Sequence, residues 1–327
     1  MRLYCTLFDR NYLTRGLALY GSLVKHRKEF KLVVLCLDDT TFEILTALAL
    51  QNVELVSLPT LEKSDPELTR TRPQRKALEY YFTCKPALMK FIVERYAGVQ
   101  RITYLDSDLF YFSDPGPLER EIGGAAVALT PHRFPPRLAE RIQYGRFNAG
   151  WVSASCSPEG RRFIGWWRER CLEWCRLEVQ DDRFGDQKYL DRVPMLFSQV
   201  NVLDHVGANL APWNLDGLDV RQVEGGVAVA GKPLVFFHFH GLRRVLFRIY
   251  DSGLLGYGGE LSAQVRHAVY WPYVSDLELA ENRLSRLPAD VRESLGAGLG
   301  MPSLRQSLSR IWRAVRLVTS GTALVGP

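Results

Sequence analysis

The chain has 327 residues, enough to bury a sizeable core in one large domain or two modest ones. With 46% apolar and 24% charged residues it has the composition of an ordinary globular protein, and no apolar run approaches the roughly 18 residues that a membrane-crossing helix needs. The net charge of +6 points to an anionic partner; without a zinc-finger spacing or the aromatic motif of an RNA-binding sheet, a nucleotide phosphate or an anionic lipid is expected rather than nucleic acid.

The opening Met1-Arg2-Leu3-Tyr4-Cys5-Thr6 lacks the basic, apolar and cleavage-site regions of a signal peptide. The six cysteines include no Cys-x-x-Cys pair, and Cys171 and Cys175, with no His beside them, read as core thiols. A cytoplasmic protein is expected. Arg2 to Leu7 reads as a strand, Asp9-Arg10-Asn11-Tyr12 as a turn, and Leu13, Leu17, Tyr20 and Val24 repeat at helical spacing towards His26. Lys31 to Leu37 is a continuous apolar run, as in a strand covered on both faces. Thr40 to Leu50 reads as a helix and Val53 to Val56 as a strand, an alternation that argues for an α/β sheet with parallel strands. Residues 60–76, with Arg70, Arg72, Arg75 and Lys76, read as a surface loop. Ala87 to Tyr96 reads as a helix that Lys85-Pro86 opens, Ile102 to Asp106 and Val127 to Leu129 as strands, and Arg133 to Arg146 as an exposed excursion. Glu159 to Cys175 is an amphipathic helix whose stripe of Phe163, Trp166, Trp167, Cys171 and Trp174 belongs in the core. Leu234 to His238 is the last apolar strand.

Asp106-Ser107-Asp108 ends the apolar run that begins at Ile102. Two carboxylates one residue apart repel each other, and neither can be buried alone without cost. A divalent cation resolves both problems, because Mg²⁺ and Mn²⁺ take oxygen ligands and are often held by one or two carboxylates plus substrate phosphates. A solvated Asp-rich turn is the alternative. In open α/β sheets ligands bind beyond the carboxyl ends of strands. Three such ends here carry polar residues able to build one site: the Thr6–Tyr12 turn, Asp106 with Asp108, and His238.

The ordered set Thr6…Tyr12, Lys85, Asp106-Ser107-Asp108, Phe147-Asn148-Ala149-Gly150, Asp186-Gln187 and His238-Phe239-His240-Gly241-Leu242-Arg243-Arg244 resembles the GT-A nucleotide-sugar-dependent glycosyltransferases. The similarity is strongest to glycosyltransferase family 8 and glycogenin-like enzymes, and runs through residues 1–245. The resemblance implies a Rossmann-like α/β fold, a mixed and mainly parallel sheet flanked by helices, as a catalytic domain over residues 1–250. Residues 251–327 would form a largely helical extension. It also implies a divalent cation, Mn²⁺ or Mg²⁺, on Asp106, Asp108 and His238, with Ser107 beside the donor. His240 is the weaker ligand, expected to turn to the other face. Thr6, Asp9 and Tyr12 would meet the nucleotide, Tyr12 on its base, and Lys85 would approach the donor from a helix start. Asn148, Ala149 and Gly150 would line the donor sugar. Gly241 would let backbone N–H groups near a phosphate, and Arg244 stands where the family has Lys, a fork in place of a point charge, with Arg243 as its substitute. Asp186, expected at a helix start, and Gln187 would face the reacting carbon. Trp213 and Asn214 would lie towards the acceptor.

The implied reaction is retaining transfer of a hexosyl unit from a nucleoside-diphosphate sugar, UDP-sugar favoured, to a glycan, lipid-linked or protein acceptor. The alternatives are a degenerate glycan- or partner-binding relative and an Asp-x-Asp phosphatase; the latter usually continues with Thr or Val, whereas Leu109 follows here. From residue 294 onward there is no acid. Leu304, Leu308, Ile311, Trp312, Val315 and Val318 repeat at helical spacing among Arg305, Arg310, Arg313 and Arg316. Residues 303–318 thus read as a basic amphipathic helix suited to anionic lipid at the inner face of the cytoplasmic membrane, or as a helix docked on the catalytic domain.

Overall fold

The apolar runs of the first hundred residues become strands whose side chains alternate between two cores. The computed structural model describes residues 2–27, 29–246, 248–296 and 304–325. Its strands are, in chain order, β1 (Arg2–Phe8), β2 (Phe30–Cys36), β3 (Val53–Ser57), β4 (Arg101–Leu105), β5 (Leu109–Tyr111), β6 (Val127–Pro131), β7 (Phe147–Ser155), β8 (Val200–Val202), β9 (Val220–Val223), β10 (Gly226–Val229), β11 (Lys232–Pro233), β12 (Phe236–His238), β13 (Arg243–Leu246), β14 (Ile249–Asp251) and β15 (Ala323–Val325). Leu3, Cys5 and Leu7 of β1 and Val33 and Leu35 of β2 face one core. Leu88 and Ile92 of the Ala77–Arg95 helix and Phe163 and Trp167 of the Pro158–Glu173 helix complete it. Tyr4, Phe8, Leu32 and Val34 face the opposite core, under the Leu13–His26 helix and Ala280 and Leu284 of the Trp271–Ser285 helix. The period of two residues in a strand produces this division, and cover on both faces explains why β2 is apolar throughout.

The central sheet has the order β3-β2-β1-β4-β7-β6-β8. β1, β2, β3 and β4 are parallel, whereas β7 runs antiparallel to both β4 and β6. That reversal matters for the site. It brings the amino end of β7, Phe147 to Gly150, to the edge where β1 and β4 end.

Three sequence expectations change. Residues 60–76 are largely helical, as Leu58–Ser64, Pro66–Thr71 and a short 3-10 turn. Ser57 and Asp65 cap the two helices, each has a proline in its first turn, and Leu61 and Leu68 are buried. Asp65 is bound by Arg168 of the Pro158–Glu173 helix, with Nε 2.6 Å from Oδ2. The helix expected from Ala87 begins at Ala77, where Glu79 accepts the Lys76 N–H at 2.8 Å. Pro86 therefore lies inside it and Lys85 is not at a helix start. Asp186 sits in a turn before a short 3-10 helix at Lys188–Arg192, and no α-helix dipole supports it.

A first three-stranded antiparallel sheet has the order β11-β10-β9, and a second, towards the C-terminus, the order β13-β14-β15. The Leu304–Thr319 helix packs on it through Ala314 and Leu317, which join Val245 and Ala323 in a small core. Ile311, Trp312, Val315 and Val318 remain exposed. Residue 303 and the side chains of Leu304, Arg305 and Leu308 lie outside the described residues. Among the described residues, no helix is long and apolar enough to cross a membrane.

Candidate active site

Two ladders bring the acids and the late histidines together. β4 ends at Leu105; the Asp106 N–H then donates to the Gly150 carbonyl at 2.7 Å, and the Leu109 N–H to the Asp106 carbonyl at 3.1 Å. This tight turn returns the chain as β5, which pairs with β12 so that Leu109 opposes His238. His238 Nε2 lies 3.1 Å from Asp108 Oδ1 and 3.9 Å from Asp106 Oδ2. The other Asp106 oxygen is engaged: Oδ1 accepts from Tyr104 OH at 2.9 Å and lies 3.0 Å from Lys85 Nζ. Lys85, buried in mid-helix, also lies 3.3 Å from Asp186 Oδ2.

The charges settle accordingly. Burial opposes ionisation of Asp108, but His238, His240 and Arg15 outweigh it and hold the carboxyl below its usual range. Burial lowers His238, yet its contact with Asp108 raises it overall. His240 is lowered by burial and by His238. Burial would discharge Lys85, but Asp106 and Asp186 keep it protonated. Asp186 is raised by burial, with Lys85 opposing.

Asp108, His238 and His240 each offer a ligand atom, all within 4.8 Å of one another. His240 was expected to face away; two residues beyond His238 the strand period returns to the same side, and the structure places it there. Trp213 packs edge-on against both imidazoles, with ring centroids 5.4 and 5.8 Å away, and its Nε1 donates to the His132 carbonyl at 2.9 Å. The Asp108 carboxylate and the two imidazoles make a donor set that fits a divalent cation, and Asp106 Oδ2 lies beside it, 3.9 Å from His238 Nε2.

The β7 end is packed against these groups. A Cβ on Gly150 would come within 2.6 Å of Asn148 Oδ1, 2.7 Å of His238 Cε1 and 2.8 Å of Asp106 Oδ2, so only glycine fits. Asn148 Oδ1 accepts the Gly150 N–H at 2.8 Å, and its amide nitrogen lies 3.2 Å from His132 Nε2. Gln187 Oε1 accepts the Ala149 N–H at 3.1 Å while Nε2 donates to the Tyr144 carbonyl at 2.9 Å. Gln187 thus ties the excursion before β7 to the Asn148–Gly150 segment. Asn214 is closed into backbone hydrogen bonds with His132 and Asn209, and Trp213 lies behind the histidines. The side-chain polar atoms of both are hydrogen-bonded within the protein.

In front of Asp108 and His240 opens a cavity of about 940 Å³. Tyr12, Gly241 and Trp312 line it, with Arg15, Arg141, Arg243, Arg313 and Arg316 against the carboxylates of Asp108 and Asp251. Tyr12 is 43% exposed, under the Arg15 guanidinium at 4.5 Å. Asp9 caps the turn by accepting the Asn11 N–H at 3.0 Å. Thr6 is fully buried in β1, its hydroxyl without a partner among the described residues, and Ser107 is buried between the two acids. Gly241 has φ +79°, which its missing Cβ permits. Arg244 points away, to Glu281 at 2.8 Å and the Tyr250 hydroxyl at 2.9 Å, so Arg243 is the cation that reaches the cavity. Sequence reasoning missed His132, Arg15 and Arg141, and placed Arg313 and Arg316 on a helix that either meets lipid or docks with its arginines in solvent.

No protein-family model matches the chain. It is 33% identical to the Bacillus subtilis protein YfnD over 278 residues, 84% of this chain and 88% of YfnD. It is 31% identical to YfnF of the same organism over 250 residues, 74% of this chain and 82% of YfnF. Among solved structures it is similar to the galactosyltransferase LgtC in complex with donor and acceptor sugar analogs, at 16% identity and a TM-score of 0.54, over 89% of this chain and 99% of LgtC. An active-site mutant of LgtC aligns with the same TM-score and coverage at 14% identity. The chain belongs to the family of YfnD and YfnF, and its fold is that of the GT-A nucleotide-sugar glycosyltransferases.

Proposed function

We propose that the chain is a metal-dependent, retaining glycosyltransferase of the family 8 kind. It moves a hexosyl unit from a nucleoside-diphosphate sugar, UDP-sugar by preference, to a glycan, lipid-linked or protein acceptor. The observation that carries this reading is the meeting of Asp108, His238 and His240, with Asp106 beside His238, at an arginine-rich cavity near the edge where β1 and β4 end. Mn²⁺ or Mg²⁺ on Asp106, Asp108 and His238, with His240 in reach, would neutralise charge on the departing diphosphate.

The chain's own residues do the rest. Tyr12 offers a ring to the base, and the Gly241 turn and Arg243 offer donors to phosphate oxygens. Lys85 holds Asp106 and Asp186 in place, and the buried Asp186 is set to stabilise positive charge at the sugar carbon. Gln187 fixes Ala149, so that Asn148, Ala149 and Gly150 stand rigidly against the donor sugar. Retention is favoured over inversion, which needs a carboxylate base, because the nearby acids Asp181 and Asp182 pair with Arg183 and Lys188 at the surface. We assign catalysis to residues 1–250 and a supporting role to 251–327. The exposed Ile311, Trp312, Val315 and Val318 support peripheral contact with an anionic membrane, at its cytoplasmic face.

A thermal-shift series of nucleotide sugars with and without Mn²⁺ tests the reading. A matching donor at about a hundred times its Kd should add about 2.7 kcal/mol and raise Tm by about 5 °C, only with the metal. If no nucleotide sugar shifts Tm, the reading is wrong.

A further inference from the structure

The C-terminal helix does more than cover the second sheet. β15 pairs with β14, and the Ser252 hydroxyl donates to the Thr322 carbonyl at 2.7 Å. With Leu317 and Ala314 buried, the helix is held in one orientation, and that orientation turns Arg313 and Arg316 into the cavity that Asp108 and His240 line. Arg313 is committed to Asp251, a carboxylate 3% exposed that Arg243 also approaches at 3.6 Å. The Arg316 guanidinium has no hydrogen-bond or ion-pair partner among the described residues. Five arginines therefore line this cavity against two carboxylates, and one of those two is already neutralised. Arg313 and Arg316 stand three apart, where like charges repel and a bound anion would relieve the repulsion. Planar guanidiniums match phosphate oxygens two at a time.

We propose that the C-terminal helix is part of the ligand site, and that Arg316, with Arg313 beside it, binds a phosphate group in the cavity. Two sources carry this chemistry: the diphosphate of the nucleotide, and a phosphate or diphosphate on the acceptor. Both sources rest on the transferase reading above, whereas phosphate binding by Arg316 itself does not.

The test uses the full chain and two variants, Arg316→Ala and, as a charge-matched control outside the cavity, Arg310→Ala. Calorimetry measures inorganic pyrophosphate with Mg²⁺, first alone and then on protein saturated with UDP and Mg²⁺. The proposal expects Arg316→Ala to bind pyrophosphate about tenfold more weakly, as loss of one charge-assisted pair should. Arg310→Ala should stay within twofold of the parent. If UDP weakens equally and its saturation blocks pyrophosphate, the nucleotide is the source. If UDP is unaffected and pyrophosphate still binds the saturated protein through Arg316, the acceptor is the source. Equal pyrophosphate affinity in Arg316→Ala and the parent, with matching circular dichroism, overturns the proposal, as does an equal loss in Arg310→Ala. Failure of the parent to bind UDP at all would sink the transferase reading alone and leave the pyrophosphate comparison standing.

Discussion

At the scale of single residues, the two acids of the candidate site differ in their neighbours. Asp106 gives one oxygen to Tyr104 and Lys85 and turns the other to His238, whereas Asp108 faces both histidines. Asp108→Ala should reduce metal-dependent UDP binding by at least about a hundredfold, since ligand loss and an unpaired His238 act together. Calorimetry reads the loss, and an unchanged far-UV spectrum shows that the fold persists. Gly150→Ala is expected to do similar damage without removing any ligand, because its methyl would displace Asn148, His238 and Asp106 at once. Wild-type Mn²⁺ affinity in that variant would refute the packing argument. The Asp-x-Asp pair was legible because charges at the end of an apolar run are anomalous. His240 was misread from strand alternation, and Arg15 and Arg141 carry no sequence signal, since surface arginines are common.

At the scale of elements, the pair of short helices at residues 58–71 is pinned by one buried ion pair. Arg168 grips Asp65 and also reaches Glu67 at 2.8 Å. Arg168→Ala should cost about 3 kcal/mol in urea unfolding, the penalty of leaving a buried charge unpaired. Burial alone would raise the Asp65 carboxyl, but Arg168 and the Leu68 N–H hold it below its usual range. Its contribution is therefore complete above the unfolded-state value of about 4 and is lost as pH falls through the depressed folded value. The gap between wild type and Arg168→Ala should be widest at neutral pH and shrink in acid; a gap that grows in acid would contradict the assignment. These helices were read as loop because their Arg-rich surface hid the apolar spacing of Leu61 and Leu68. The caps Ser57 and Asp65, each followed by proline within the first turn, were the signal available.

At the scale of the whole molecule, the parallel half of the sheet was legible from its apolar runs, while the reversal at β7 was not. Local pattern gives a strand its period but not its direction. In the tail, Ala314 and Leu317 dock on the second sheet, and Ile311, Val315 and Val318 face outward. Replacing those three outward residues by Ser should weaken sedimentation with phosphatidylglycerol vesicles about tenfold while Tm moves by less than about 2 °C. Leu317→Ser, by contrast, should cost about 3 kcal/mol of stability. If the triple variant sediments like the parent, the outward face does not bind lipid.

The pairing of β15 with β14 has a consequence for biosynthesis. Domains fold as units while the chain is still being made. β1 to β4 and their helices can settle early, and β12 can deliver His238 to Asp108 soon after. The wall that Arg313 and Arg316 supply cannot close until residues 304–325 have cleared the ribosome. A nascent chain therefore brings His238 to Asp108 before its cavity has a finished wall, and that wall waits on residues 304–325.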